Sequence, residues 1–278
     1  MTILQNLIIE DLGVKPVINP AEEIRKRIDF LKNFTLNAET KGFVLGISGG
    51  QDSTLAGKLA QIAVDELNAE NDTEEYIFVP VFLPHGVQAD AADAKLAGEF
   101  IGFKNPIEFN IINPVTAFKV EYNAHADIIG KTLSDYAKGN VKARLRMITQ
   151  YAIASELKLL VIGTDHAAEA VSGFFTKFGD GAADILPLSG LTKRQGKALL
   201  QELDAPAIFY TKKPTADLLD AVVGQPDETE LGVTYEQLDD YLEGKTVDKA
   251  VSDLIEGRFL MTQHKREAPV TPSDTWWN

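Results

Sequence analysis

Short apolar runs alternate with stretches of helical spacing through the first part of the chain. The runs that predict strands are 43–47, 76–83, 107–112 and 159–163. Because these runs are continuously apolar, they indicate a parallel sheet that is covered by helices on both faces. We therefore predict an α/β fold with a Rossmann-like parallel sheet, in which ligands bind at the carboxyl ends of the strands.

Helical periodicity is clearest over about residues 20–36. Asn19 offers a capping side chain, and Pro20 fits the first turn of a helix. The face predicted to be buried carries Ile24, Ile28, Leu31 and Phe34. Further helices are predicted from Leu55 to Leu67, over about 89–101, over most of 114–157, from Lys193 to about 203 with Thr192 as cap, over 235–242 and over about 247–260.

The connection from Asp204 to Asp227 has no clear periodicity and contains three prolines and the adjacent pair Lys212-Lys213. A connection of that length is usually a lid or lacks fixed structure. We therefore predict one domain over residues 1–278, with a mobile lid at about 204–227.

Charge and composition narrow the class of protein. The 27 Lys and Arg against 41 Asp and Glu give a formal net charge of −14, which argues against a nucleic-acid or anionic-membrane surface. The chain has no cysteine, which excludes a thiol nucleophile and a Cys-zinc site within these residues. It has no run near the ~20 apolar residues of a membrane span and no basic start typical of a signal peptide, so we expect a cytoplasmic protein.

A glycine turn follows the first predicted strand and opens a helix. It reads Gly46-Ile47-Ser48-Gly49-Gly50-Gln51-Asp52-Ser53. Glycines let backbone N–H groups approach an anion, and the helix that follows directs its partial positive charge to the same place. The turn is a phosphate cradle of neither the Walker nor the dinucleotide type. Since Asp52 would repel phosphates, its presence indicates a divalent cation between the two.

A second glycine turn, at residues 163–169, follows the fourth predicted strand. We expect Asp165 to cap the next helix and His166 to be a packed or hydrogen-bonded residue rather than a catalytic one. If the two turns are neighbours, Glu169 can approach Asp52. The two carboxylates could then share Mg²⁺, with ATP supplying further oxygens.

The glycine-turn residues Ser48–Ser53 resemble the pyrophosphate-binding loop of the N-type ATP pyrophosphatases, which cleave ATP between the α and β phosphates. Longer stretches are similar to the bacterial ammonia-dependent NAD synthetases in that family, over nearly the whole chain. These stretches are 139–144, 163–169, 176–181 and 213–218. The resemblance implies a fold of the adenine nucleotide α-hydrolase type and ATP-dependent amidation of deamido-NAD with ammonia, giving NAD, AMP and pyrophosphate.

The resemblance also implies a role for individual residues and a homodimer with the dinucleotide across the interface. ATP would contact the turn Gly46–Ser53, Thr164, Lys193 and Thr215. Mg²⁺ would be held by Asp52 and Glu169. Deamido-NAD would contact Arg144, Lys177, Asp184, His264 and Lys265. The implied catalytic residues are Asp52, Lys193 and Asp184, the last as the group that receives a proton from ammonia or positions it.

Two other functions remain open from the residues alone. A tRNA-modifying pyrophosphatase would share the glycine turn, although the net charge of −14 disfavours an RNA surface. A regulatory module could bind ATP without turning it over. We expect no glutaminase domain, because the common cysteine-nucleophile type cannot exist in a chain without cysteine.

Overall fold

The central strand of the sheet divides its side chains between two hydrophobic cores. In the computed structural model, which describes residues 2–86, 91–212, 220 and 226–277, β1 spans Gly42–Gly46. Phe43 and Leu45 pack into a core on one face of the sheet, and Val44 packs into a core on the other. Successive side chains of a strand point to opposite faces, so a strand covered on both sides must be apolar throughout.

The strands within the described ranges form one parallel sheet with the order β3-β2-β1-β4. The other bounds are β2 (Ile77–Phe82), β3 (Ile107–Glu108) and β4 (Leu160–Val161). A parallel bridge between Ile162 and Ile185 continues the sheet beyond β4. The predicted fold class is confirmed, although β3 and β4 are shorter than predicted because the chain enters a helix at Ile112 and a turn after Ile162.

Helices occupy most of the remaining described chain. The first seven are α1 (Ile3–Asp11), α2 (Pro20–Asn37), α3 (Gln51–Asn71), α4 (Ala91–Ile101), α5 (Ile112–Ala124), α6 (Ala126–Ile129) and α7 (Asp135–Leu157). They are followed by α8 (Ala167–Ser172), α9 (Lys193–Glu202), α10 (Ile208–Thr211), α11 (Asp227–Leu231), α12 (Tyr235–Leu242), α13 (Lys249–Met261) and α14 (Gln263–Arg266).

The start of α2 is as predicted, with one error on its face. The side chain of Asn19 accepts hydrogen bonds from the backbone N–H groups of Ala21 and Glu22. Ile24, Ile28 and Leu31 are buried, but Phe34 is exposed. Thr35 is buried in its place, because its hydroxyl donates to the carbonyl of Leu31 and so needs no water.

Helices cover both faces of the sheet, as predicted. One core joins β1 to α2, α3 and α9, and the second joins it to α5 and α7. A third cluster, built from α1, α8, α12 and α13, lies outside the sheet. Gln5 of α1 donates to the carbonyl of Tyr241, and Gln195 of α9 donates to the carbonyl of Lys15, so the N-terminal segment is tied to both α12 and α9.

The strand order places the two glycine turns side by side. The chain proceeds outward from β1 to β2 and β3, then returns to β4 on the other side of β1. In open parallel sheets the crevice at such a reversal is where ligands bind. The turns after β1 and β4 flank this crevice.

Part of the predicted lid lies outside the described residues. Within 204–212 the structure contains the short helix α10, which the sequence did not predict. Residues 213–219 and 221–225, including Lys213 and Thr215, are not among those described. Among the helices in the described ranges, none has the length and apolar content that crossing a bilayer requires.

Candidate active site

A cavity of about 590 Å³ lies at the carboxyl ends of β1 and β4. Its volume is within the range of small-molecule sites. The predicted site residues that line it are Gly46, Ile47, Ser48, Gly50, Gln51, Asp52, Ser53, Thr164, Glu169, Lys193 and Lys265. Gly49, Arg144, Lys177, Asp184 and His264 do not line it. The cavity therefore brings together the predicted metal residues and, apart from Gly49, the predicted ATP residues of the described chain.

Hydrogen bonds to its own serine hydroxyl groups fix the conformation of the glycine turn. The Ser48 and Ser53 hydroxyl oxygens lie 3.0 Å apart, and the Gly50 N–H donates to the Ser48 hydroxyl at 3.2 Å. Gly50 is also the N-cap of α3, so the positive end of a 21-residue helix faces the cavity. A helix N-terminus at this place attracts an anion.

Gly49 is required by the turn for two reasons. Its φ angle is +81°, a backbone conformation that residues other than glycine rarely adopt. A Cβ at this position would also lie 2.6 Å from the backbone nitrogen of Ala94 in α4. The turn consequently packs directly against α4.

Lys193 forms an ion pair with Asp52 inside the cavity. Its Nζ lies 2.6 Å from Oδ2 of Asp52, and both side chains are largely buried. Burial raises the pKa of the Asp52 carboxyl and the Lys193 ammonium lowers it, and the net direction is downward. The pKa of Lys193 is raised, since the attraction of Asp52 and Glu169 outweighs burial. Both groups are therefore charged at neutral pH.

The predicted cap of α9 positions Lys193. Thr192 and Gln195 form a reciprocal capping box at the start of this helix. The Asp239 carboxylate accepts the backbone N–H of Lys193 at 3.0 Å, and Gln51 donates to the Lys193 carbonyl at 2.9 Å. The first residue of α9 is thus fixed from both sides and its ammonium is directed at Asp52.

Glu169 approaches Asp52, as predicted. The donor atoms of Asp52, His166 and Glu169 all lie within 4.8 Å of one another. Burial raises the pKa of Glu169 well above its ordinary value, and the negative charge of Asp52 adds to the effect. Two carboxylates at this distance are unfavourable without a cation between them.

These residues fit a magnesium ion in their donor chemistry. Mg²⁺ is bound in proteins by one or two carboxylates, with water and substrate phosphates completing the set. Asp52 and Glu169 supply the two carboxylates beside the phosphate cradle.

Asp165 does not cap a helix, so that prediction is wrong. The following helix begins at Ala167, and its N-cap is His166. Burial raises the pKa of Asp165 to about 7, with further contributions from the charges of Asp180 and Asp52. Asp165 is a half-buried residue near two other acids, and its carboxylate accepts no hydrogen bond that would cap α8.

Asp184 supports the end of the sheet. Its Oδ2 accepts the backbone N–H of Val161 at 2.7 Å, and Oδ1 accepts the Tyr151 hydroxyl at 3.2 Å. The residue is exposed and lies outside the cavity lining. The structure therefore does not bring Asp184 to the glycine turn.

A different acid, Asp180, lines the cavity. The residue is exposed, as Asp184 is, and its carboxylate accepts the backbone N–H of Thr176 at 2.9 Å. The sequence did not single out this residue, although it lies within the glycine-rich segment 176–181. Its position between Gly179 and Gly181 was the available signal.

The residues expected to contact deamido-NAD gather beside the cavity. Lys265 donates to the carbonyls of Gly173 and Phe175 at 2.8 and 2.7 Å. Lys177 donates to the carbonyl of His264, and Arg144 donates to that of Lys177 at 3.2 Å. Together, these bonds join α14 and α7 to the turn at 173–178 and form a basic rim near the cavity.

Two lysines of α7 form ion pairs with Asp220, a residue of the connection between Asp204 and Asp227. Lys138 and Lys142 each lie 2.5 Å from the carboxylate of Asp220. Lys142 is only 1% exposed. The sequence did not assign either lysine a role, because a pairing across 78 residues or more leaves no local pattern.

A family model described as NAD synthase matches residues 23–269. The chain belongs to the NAD synthase family. It is 58% identical over 274 residues to the NH₃-dependent NAD⁺ synthetase of Bacillus cereus, covering 99% of both chains. The family resemblance drawn from the glycine turns is therefore confirmed.

Solved structures of this family share the fold. The NAD⁺ synthetase of Burkholderia pseudomallei superposes with a TM-score of 0.79 at 41% identity, covering 95% of this chain and 96% of that one. The NMN synthetase of Francisella tularensis superposes with a TM-score of 0.80 at 35% identity, covering 93% of this chain and 100% of that one. The solved structures similar to this chain therefore include proteins named for two different products.

Replacing Gly49 by Ala is expected to lower the free energy of unfolding by at least about 1 kcal/mol, because the new Cβ meets α4 and the φ angle is strained. The matched control is Gly257→Ala in α13, where a Cβ has open space within 4 Å. That variant should gain about 0.5–1 kcal/mol from helix propensity. Urea unfolding measures both, and equal stability of the two variants would contradict the packing of the turn.

Proposed function

We propose that this protein is an ammonia-dependent NAD synthetase, which uses ATP to convert deamido-NAD and ammonia into NAD, AMP and pyrophosphate. The observation that carries the proposal is the meeting of Asp52, Lys193 and Glu169 in front of the glycine turn, in a chain 58% identical to a synthetase of that name. An ATP-binding turn, a fixed ammonium and two acids suit phosphate chemistry with a divalent cation.

The first half-reaction activates a carboxylate. A carboxylate is a poor electrophile, so the nicotinate carboxylate of deamido-NAD attacks the α-phosphorus of ATP and displaces pyrophosphate. The N–H groups of the turn and the N-terminus of α3 receive the phosphates, while Lys193 offsets negative charge as the two anions meet. Mg²⁺, held by Asp52 and Glu169, would neutralise charge on the leaving pyrophosphate.

In the second half-reaction ammonia attacks the carbonyl carbon of the acyl adenylate, and AMP leaves. The attacking nitrogen must lose a proton. We propose Asp180 as its acceptor, because Asp180 lines the cavity beside the glycine turn and Asp184 does not. Asp184, which is exposed, remains a proposed contact of deamido-NAD. The connection 204–227, with Thr215, would exclude water from the adenylate.

Substrate identity within the family is the main alternative. The NMN synthetase at 35% identity indicates that a mononucleotide can be the acceptor on this fold. The 58% identity to an NAD⁺ synthetase over 99% of the chain favours the dinucleotide deamido-NAD as the substrate of this protein. The basic rim of Arg144, Lys177 and Lys265 beside the cavity also offers contacts beyond a mononucleotide.

We propose further that two copies associate through one apolar surface, the α5–α7 face. Large exposed apolar side chains concentrate there and on the neighbouring edge strand β3: Ile107, Phe109, Ile112, Phe118, Val120, Ile128, Ile129, Tyr136 and Ile148. Exposed apolar patches of this kind mark association surfaces. Tyr136 also lines the cavity, so the surface is continuous with the proposed dinucleotide site.

Pyrophosphate release by the purified protein with ATP and Mg²⁺ tests the reaction. Pyrophosphate release should require deamido-NAD, and NAD formation should require ammonia as well. Nicotinate mononucleotide should support pyrophosphate release poorly. Glutamine in place of ammonia should give no NAD. Release without deamido-NAD, or equal use of the mononucleotide, would contradict the proposed substrate, and no release under any condition would favour a nucleotide-binding module.

Asp52→Asn should reduce the rate by about 10²-fold or more while the fold is retained, because it removes a carboxylate at the transferring phosphate. Asp253→Asn is the control, since this exposed acid pairs with Lys249 on the surface of α13. Steady-state rates of pyrophosphate release compare the two. Near-normal turnover of Asp52→Asn would remove the proposed role.

Asp180 and Asp184 can be separated by their kinetics. Asp180→Asn should lower the rate of NAD formation from ammonia by about 10²-fold, the size of a general-base effect, and leave adenylate formation largely intact. Asp184→Asn should instead raise the KM for deamido-NAD. Single-turnover measurements of pyrophosphate release and NAD formation distinguish the steps. If Asp184→Asn slows NAD formation and Asp180→Asn only raises the KM for deamido-NAD, Asp184 is the proton acceptor.

The proposed dimer should have twice the chain mass of 30.4 kDa in sedimentation equilibrium. Ile128→Asp should shift the protein toward monomer, because Ile128 is 86% exposed on the α5–α7 face. Val17→Asp is the control, since Val17 is 85% exposed elsewhere. A monomeric wild type, or equal dissociation of both variants, would contradict this surface.

A further inference from the structure

The buried histidine of the second glycine turn has no role in the reaction as proposed. His166 is 3% exposed, and both of its ring nitrogens are buried without a hydrogen-bond partner among the described residues. A buried polar group left without a partner costs free energy and calls for an explanation. The side chain is held against the Tyr235 ring, with ring centroids 6.4 Å apart.

The imidazole is directed between the two acids. Its Nε2 lies 3.6 Å from Oδ1 of Asp52 and 3.5 Å from Oε1 of Glu169. Around an ion with bonds of about 2.1 Å, neighbouring ligands of a tetrahedron lie about 3.4 Å apart. Two edges of the triangle formed by these donor atoms therefore match the spacing around one metal ion.

The two carboxylate oxygens of Asp52 have different neighbours, and this leaves the space beside Oδ1 accessible to an ion. Lys193 bonds Oδ2, whereas Oδ1 faces His166. An ion between Oδ1, Nε2 and Oε1 would leave the ion pair with Lys193 intact. Neither ring nitrogen of His166 has a hydrogen-bond partner within the described part of the chain, so Nε2 is available as a ligand.

We infer that His166, together with Asp52 and Glu169, forms a site for a divalent transition-metal ion such as Co²⁺, Mn²⁺ or Zn²⁺, with Nε2 as the third ligand. Imidazole suits these ions, while Mg²⁺ prefers oxygen ligands alone. His166 therefore gives the two acids a preference between metals that two carboxylates by themselves would lack. The inference shares Asp52 and Glu169 with the proposed function but does not require turnover.

Co²⁺ titration of the full-length protein without nucleotide, followed by visible absorption, tests the site. One Co²⁺ per chain should bind, and His166→Gln should weaken its binding at least about tenfold. The ratio of Co²⁺ affinity to Mg²⁺ affinity should therefore fall in His166→Gln, because imidazole favours transition metals and Mg²⁺ prefers oxygen ligands. His125→Gln is the control, since His125 is exposed and lies 3.4 Å from Glu121 on α5.

Equal Co²⁺ affinity of the wild type and His166→Gln would overturn the inference, as would a wild type that uses Mg²⁺ but binds no Co²⁺. Proton NMR of the wild-type Co²⁺ complex provides a second readout if the variant fails to fold. A strongly shifted imidazole N–H resonance is expected, and its absence would count against ligation. If the Co²⁺ difference is found but pyrophosphate is never released, the metal site stands and the proposed function fails.

Discussion

The buried Asp52 carboxylate and the positive charge that compensates it are the constraint on which the site depends. A carboxylate at the end of β1 would repel both phosphates and Glu169, and burial strengthens that repulsion. Lys193 stabilises the charged form from α9, an element 141 residues away in sequence. The parallel sheet makes this pairing possible, because the reversal of strand order brings the turns after β1 and β4 to one crevice.

Much of the supporting structure serves to place that ammonium. Asp239 of α12 accepts the first two backbone N–H groups of α9, from Lys193 and Arg194. Burial raises the pKa of Asp239 to about 6, and these hydrogen bonds work in the opposite direction. The third hydrophobic cluster, which contains α12, thus contributes to the geometry of a cavity that it does not itself form.

The features that the sequence predicted correctly are those that depend on interactions between residues close in the chain. The apolar runs, the cap at Asn19 and the cap at Thr192 were all interpreted correctly, because each depends on neighbours along the chain. Asp165 was assigned to the wrong role because its environment is set by Asp180 and Asp52, which only the fold brings near. Asp180 was missed for the same reason, and the exposed position of Phe34 could not be distinguished from a buried one by spacing alone.

Hydrogen bonds that join the N-terminal segment to α9 and α12 limit where the chain can be truncated. Gln195, whose side chain completes the cap of α9, also holds the Lys15 carbonyl at 2.7 Å, and Gln5 anchors α1 on Tyr241. The family match begins only at residue 23. A protein trimmed to that boundary would lose a brace of the helix that carries Lys193, even though the missing stretch never reaches the cavity wall.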